Sequence, residues 1–303
     1  MNINYTNIEG EQKHIVLLEK IGSGKFGIVY ESLLDGFGKI AVKVLKFEYK
    51  TAREAKTEVK IAGLITDTYA MTVKKVIANP ISTGILKDIS PVYLSYSTDI
   101  PVDKIYFVYE LADGFPLDKI IQLNMDLKTY FTKPIFYRYV KDLIYGMAEM
   151  HSKNITHKDI KPANIMLCRG TLKYIDFGIS CFPMACVDGG TPNYSPPEYF
   201  TKSPAMSSPS DWFSKDVFAL GVTLLIMITN NKKLIWSSLD TFDNIKHQCS
   251  TQGFAQEFLN KTVLENLNGL GYDEFIVAIL GMTSASIKDR WTTEQCVEFA
   301  NSL

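Results

Sequence analysis

The stretch from His151 to Gly178 constrains this chain more tightly than any other. Within HSKNITHKDIKPANIMLC, His157-Lys158-Asp159 is followed by Lys161 and Asn164, and Asp176-Phe177-Gly178 comes twelve residues after Asn164, behind the short apolar run LKYI. In that order the side chains meet the needs of moving a phosphoryl group onto a hydroxyl. Asp159 can accept the hydroxyl proton, Lys161 places a cation by the transferred group, and Asn164 and Asp176 offer oxygen ligands to Mg²⁺.

Upstream, IGSGKFGIVY sets Gly22, Gly24 and Gly27 at G-x-G-x-x-G spacing, with Val29 following. Glycines let a backbone approach phosphates without Cβ clashes, but the same spacing also opens dinucleotide-binding folds. Those folds want the glycines to start a helix, whereas β-branched residues follow here, as in a hairpin lying over phosphates. Ala41-Val42-Lys43-Val44 then reads as an apolar strand from which Lys43 can aim a charge at the α- and β-phosphates; a surface lysine on an edge strand is the plainer alternative. From about Thr51 to Ile65, Ala55, Val59, Ala62 and Ile65 recur at helical spacing,. Glu58, 15 residues beyond Lys43, can hold the ammonium from this helix. Glu54, one turn earlier, is its rival; apolar Val59 and Ala62 on the buried side favour Glu58.

The chain divides in character. Its first third carries short β-branched runs (HIVLL, GIVYESLL, KIAVKVLKF, KIYFVYEL) separated by glycines, which predicts an antiparallel sheet,. After Gly114, long apolar segments such as YFTKPIFYRYVKDLIYGMAEMHS and KDVFALGVTLLIMIT predict helices, with short β-like runs only around Ile165 to Ile175,. The break at ADGFP, Ala112 to Pro116, has the glycine and proline of a hinge,. No repeat or low-complexity tract interrupts the 303 residues, and 46% hydrophobic content suffices for a packed core,. A net charge of -1 gives no reason to expect nucleic acid or a membrane surface as partner. The N-terminus lacks a secretion signal and the apolar run near Val217 to Ile228 is too short to span a bilayer, so a cytoplasmic, or alternatively nuclear, location is expected. Cys168, Cys181, Cys186, Cys249 and Cys296 form no CxxC pair and are read as free thiols,.

Taken together, these motifs resemble the eukaryotic-type protein kinase family, and the resemblance covers almost the whole chain. It extends to Gly190-Thr191-Pro192 with Tyr194, to Pro197-Glu198, to Asp216 and Gly221 in KDVFALGV, and to Arg290. It implies an α+β bilobal fold: a small N-terminal antiparallel β-sheet lobe with one main helix, and a larger, mainly helical C-terminal lobe. One kinase domain over 1–303 is expected, with an N-lobe of about 1–111, a hinge of about 110–116 and a C-lobe of about 117–303. By the same resemblance ATP is bound by Ile21, Gly22, Ser23, Gly24, Lys25, Phe26, Gly27, Ile28 and Val29 of the loop, with Ala41, Lys43, Tyr109, Glu110, Ala112 and Met166. Backbone groups of Glu110 and Ala112 would contact adenine, Tyr109 would guard the rear of the pocket, and Val29, Ala41 and Met166 would form its apolar walls. Lys43, Glu58, Asp159 and Lys161 are then catalytic, and Asn164 and Asp176 ligate Mg²⁺. Glu198 would pair with Arg290, and Asp216 would hold the backbone of the catalytic loop.

Lys161 and Thr191 place the chain with the serine/threonine-specific branch, so a protein substrate is implied. A catalytically dead scaffold would usually lack one of Lys43, Asp159 or Asp176. A small-molecule phosphotransferase would usually lack the platform from Thr191 to Glu198. Three departures stand out. Lys158 replaces an arginine that in many members clamps an activation-segment phosphate, and lysine lacks the planar fork. The stretch Met184 to Gly189 offers no hydroxyl. Activity without phosphorylation of the segment from Asp176 to Glu198 is therefore expected, with Asp188 a minor candidate for a permanent negative charge. Finally, Glu110 lies 52 residues past Glu58, an excess placed around Thr66–Val92, which is read as a structural elaboration with a regulatory docking site as the second reading.

Overall fold

The computed structural model describes residues 2–23, 27–45, 49–66, 68–80, 87–89, 102–187, 189–201, 208–231, 236, 242–251 and 253–303, with the backbone alone at 49–54, 75–80, 87–89, 102–104 and 242. The chain forms two compact units: Met1–Asp113 with Ile175–Gly178, and Gly114–Tyr174 with Ile179–Leu303.

Among the described residues, the first unit carries the strands β1 (Asn2–Thr6), β2 (Gln12–Ser23), β3 (Gly27–Leu34), β4 (Gly38–Leu45), β5 (Lys75–Pro80), β6 (Lys87–Ile89) and β7 (Val102–Glu110), and the helix α1 (Tyr49–Ala62). The strands run in the order β1-β2-β3-β4-β7-β5-β6, antiparallel throughout except where Thr6 opposite Lys87 closes the sheet into a barrel. Strands β4 and β7 bury both faces, which is why they read in sequence as near-continuous apolar runs. The period-2 alternation sends Ile40, Val42, Tyr106 and Val108 to one side, where Ile3, Tyr5, Ile15, Leu17 and Leu34 complete a core,. Leu45, Ile105 and Phe107 go to the other side, against Ala55 and Val59 of α1.

Strand β1 has no counterpart in the sequence reading: asparagines disfavour strands, and only Ile3 and Tyr5 alternate into the core,. Its hairpin is fixed by Asn7, whose Oδ1 accepts hydrogen bonds from the backbone N–H of Glu9 (3.0 Å) and Glu11 (2.8 Å),. Within the expected elaboration at Thr66–Val92, residues from Lys75 are β5, paired with β7, and β6 adds outside it, so this part of the extra chain joins the sheet; residues 81–86 and 90–101 lie outside the described ones.

The second unit contains α2 (Leu117–Leu127), α3 (Lys133–Ser152), the hairpin β8 (Ile165–Cys168) and β9 (Thr171–Tyr174), then α4 (Pro197–Thr201), α5 (Pro209–Thr229), α6 (Phe242–Cys249), α7 (Phe254–Leu267), α8 (Asp273–Met282) and α9 (Thr293–Ser302). Its central element is α5, started by a capping box between Ser208 and Asp211,. At 21 residues it is longer than the apolar run read from sequence, and by length and composition it could cross a membrane. Every residue from Ser214 to Ile228 is buried within the unit, however, as befits a helix that is apolar all round,.

Cys168, Cys249 and Cys296 are in no disulfide, but Cys181 and Cys186, expected to be unbridged as well, are joined in one. The 3-10 turn Pro183–Ala185 folds the chain back and brings their Cα atoms to 5.3 Å, within the reach of such a bridge,. Cysteine spacing alone cannot reveal a turn of this kind.

Candidate active site

Two clusters of functional side chains form, one in each unit. In the first, β4 and α1 bring Lys43 and Glu58 together. The Lys43 ammonium lies 3.3 and 3.1 Å from the two Glu58 oxygens and 3.1 Å from Oδ1 of Asp176. Both Lys43 and Glu58 are buried. Burial alone would favour the neutral amine, but the carboxylates of Glu58 and Asp176 outweigh it and hold the lysine pKa above its ordinary value,. The ammonium is thus kept charged on β4, a point charge of the kind that can meet a phosphate,. Glu58 is thus the acid at Lys43; the side chain of Glu54 is outside the described residues. Tyr109, on β7, adds a hydrogen bond from its hydroxyl to Glu58 Oε1, a contact with no signal in the sequence.

On either side of the glycine loop Gly22 pairs with Val29 and Ser23 with Ile28, so a strand rather than a helix follows Gly27 and the dinucleotide alternative fails,. At Gly27 a Cβ would come within 2.6 Å of the Val44 carbonyl, so close packing on β4 requires glycine,. Gly24, Lys25 and Phe26 lie outside the described residues. Of the other predicted nucleotide contacts, Ile21 and Ser23 are exposed, Ile28, Val29, Glu110 and Ala112 are half-buried, and Ala41 is buried opposite Tyr109. Met166 is half-buried on β8 in the second unit.

In that second unit, Asp216 of α5 organises the turn before β8. Its carboxylate accepts the backbone N–H of His157 (2.7 Å) and Lys158 (2.8 Å), while His151 of α3 approaches it at 3.2 Å. Burial would raise the pKa of Asp216, but His151 first, and then His157, more than offset it and keep the acid ionised,. The hold is needed because Lys158 sits at φ 69°, left-handed backbone that an L-residue adopts only under constraint,. His151 was not singled out in the sequence, since a histidine near a helix end has many ordinary uses.

Asp159 follows directly. Its Oδ2 accepts from Lys161 Nζ (2.7 Å) and Asn164 Nδ2 (2.9 Å), and its Oδ1 accepts from the Thr191 hydroxyl (2.6 Å). Lys161 also donates to Thr191 (2.6 Å), so the three form a closed ring. Burial pushes the Asp159 pKa up, and the hydrogen bonds of Lys161 and Thr191 bring it below the ordinary aspartate value. The carboxylate is therefore charged, aimed and able to accept a proton. Asn164 spends its amide hydrogens on Asp159, which leaves its oxygen as the atom with which it can ligate a cation,. Asn164 in the second unit and Asp176 in the first each carry an oxygen donor of the type that Mg²⁺ takes,.

Further along, Gly190 sits at φ 120° with the Lys158 carbonyl 2.6 Å from where a Cβ would stand, so only glycine can pass,. Glu198 and Arg290 make a bidentate pair at 2.7 and 3.0 Å.

A family model described as "Protein kinase domain" matches residues 15–300. Among curated proteins, the chain is 31% identical over 201 residues to beta-adrenergic receptor kinase 1 of Homo sapiens, covering 64% of this chain and 26% of that protein. It is 28% identical to serine/threonine-protein kinase SSK22 of Saccharomyces cerevisiae (73% of this chain, 16% of that one) and 28% identical to mitogen-activated protein kinase kinase kinase 3 of Arabidopsis thaliana (72% and 31%). The chain thus spans less than a third of the length of each of these relatives.

Proposed function

From the premise that this chain belongs to the protein kinase family, we propose that it transfers the γ-phosphoryl group of ATP to serine and threonine hydroxyls of proteins, and does so without phosphorylation of its own activation segment. The observation that carries the first part is the ring of Lys161, Thr191 and Asn164 around an ionised Asp159.

Asp159 accepts the proton of the attacking hydroxyl, and Lys161 neutralises charge gathering on the transferred group. Thr191 holds both in place, and its requirement for that ring supports serine/threonine over tyrosine specificity. Lys43, kept cationic by Glu58 and Asp176, binds and orients the phosphates before transfer,. Asn164 and Asp176 are the residues that would hold Mg²⁺, which would supply positive charge against the phosphates. Tyr109, Glu110, Ala112, Ala41, Val29 and Met166 are assigned to the adenine.

Independence from activation-segment phosphorylation is supported by where the segment's hydroxyls go. Ser180 donates to the His157 carbonyl (3.2 Å), Ser195 to the Thr191 carbonyl (3.0 Å), and Thr191 to Asp159. Tyr194 is partly buried, and burial pushes its phenol up to about 12. Ser180 and Ser195 are buried as well, so a phosphate on either would break a bond that already orders the segment,. Lys215 ties the segment by donating to the Gly189 carbonyl at 2.8 Å.

The test is a transfer assay with labelled ATP, Mg²⁺ and a serine/threonine peptide library, run on chain treated with a broad phosphatase and verified by mass spectrometry. Full activity of the dephosphorylated protein on serine and threonine peptides is expected. Activity that vanishes on dephosphorylation and returns with a phosphate on Ser180 or Thr191 would overturn the regulatory half. Labelling confined to tyrosine would overturn the specificity.

A further inference from the structure

Tyr109 has a second attachment that adenine binding does not require. In the β4–β7 register Ala41 faces Tyr109 and Lys43 faces Phe107, so by the period-2 rule all four side chains lie on the side of the sheet covered by α1,. Phe107 is fully buried and meets the Tyr109 ring edge to face, with centroids 6.4 Å apart at 76°, which fixes the direction of the phenol,. Its hydroxyl ends on Glu58 Oε1. That oxygen is also 3.3 Å from Lys43, and Oε2 is 3.1 Å from it. The buried Glu58 carboxylate is therefore held from two neighbouring strands, by an ammonium from β4 and a phenol from β7. Burial first, and then the charge of Glu58, raise the Tyr109 pKa well above its ordinary value, so the group is a permanent donor,.

We propose that Tyr109 is a positioning residue: through its hydroxyl it locks Glu58, and with it α1, against the sheet, so that Lys43 is in place before nucleotide arrives. Lys43 divides its hydrogens between Glu58 and Asp176. If Glu58 is free to turn, the lysine follows Asp176 instead, and each nucleotide must first restore the pair. Preorganisation of this kind is expressed in the affinity for ATP as well as in the rate. The claim deepens the kinase reading and rests on it for its kinetic consequence, but not for its structural one.

The experiment uses Tyr109→Phe, which removes one oxygen and keeps the ring. Hydrogen exchange of the α1 amides around Glu58 is measured first, without nucleotide. Exchange about ten-fold faster than in the wild type is expected, with exchange in the second unit unchanged, as for one lost hydrogen bond to a charged partner. In steady-state assays kcat/KM for ATP should fall about ten-fold, with KM for ATP carrying a clear share. A loss of folded protein alone would lower kcat and leave KM untouched. The decisive comparison is a cycle with Glu58→Ala: in that background Tyr109→Phe should change kcat/KM by less than about two-fold, because the acceptor it acts through is gone. An equal effect in both backgrounds, or wild-type α1 exchange in Tyr109→Phe, overturns the proposal. If the wild type transferred no phosphate, the functional reading would fall, and the exchange measurement would still decide the Tyr109–Glu58 link.

Discussion

Glu198→Ala should destabilise the second unit severely, and the structure sets how far. The Arg290 side chain is fully enclosed and that of Glu198 nearly so, at 0% and 8% exposure. The guanidinium keeps other partners after the change: Nε donates to the Ser284 carbonyl (2.9 Å), Nη1 to the Ser214 hydroxyl (3.1 Å), and the Phe218 ring lies 5.0 Å away. None of these carries the compensating charge. Stranding one member of a buried ion pair costs about 3–5 kcal/mol, and the surviving hydrogen bonds place this case near the lower figure. At about 2–4 °C per kcal/mol for a domain of this size, a loss of about 3 kcal/mol lowers Tm by roughly 6–12 °C. Trp212, Trp236 and Trp291 all lie in the second unit, so urea unfolding followed by tryptophan fluorescence reports on it directly,. The double variant Glu198→Ala/Arg290→Met, which removes the orphaned charge, should regain most of the loss. A destabilisation by Glu198→Ala below about 1 kcal/mol would refute the reasoning, since that is the worth of an exposed pair.

Asp216→Asn keeps the shape but loses the charge that answers His157, Lys158 and His151; kcat should fall at least about ten-fold with the KM for ATP little changed, as steady-state kinetics would show,. Asp159 and Asp216 both have folded-state pKa values below 3.8. Their contribution to stability is therefore complete above that value and is lost as pH falls through the folded pKa, so urea midpoints should drop on acidification below about pH 4, and less steeply in Asp159→Asn. Digestion without reductant should yield a peptide pair linked through Cys181 and Cys186 while Cys168, Cys249 and Cys296 take up alkylating reagent after unfolding; five alkylated cysteines would contradict the bridge.

Legibility in the sequence followed chemistry and periodicity. Lys43 with Glu58, and Asp159 with Lys161 and Asn164, were readable because phosphoryl transfer needs those groups at short spacing or at helix pitch, and the structure brings each set together. Strands β4 and β7 announced themselves as apolar runs because both their faces are buried. Strand β1 did not, since a five-residue strand held by Ile3 and Tyr5 carries too little pattern to stand out from a loop. The insert was noticed by length alone, and length could not say that β6 would join the sheet. The Tyr109–Glu58 bond and the Cys181–Cys186 bridge depend on a strand register and a single 3-10 turn, which no local pattern encodes.

The central claim is that Asp159 is the proton acceptor in transfer from ATP to a protein hydroxyl. The measurement that tests it most directly is single-turnover transfer of labelled phosphate by wild type and Asp159→Asn, with nucleotide affinity and Tm measured on the same samples. A rate lower by about 10²–10⁴-fold, with nucleotide affinity within about three-fold and the fold intact, is expected for loss of a general base. Transfer by Asp159→Asn at the wild-type rate would contradict the account.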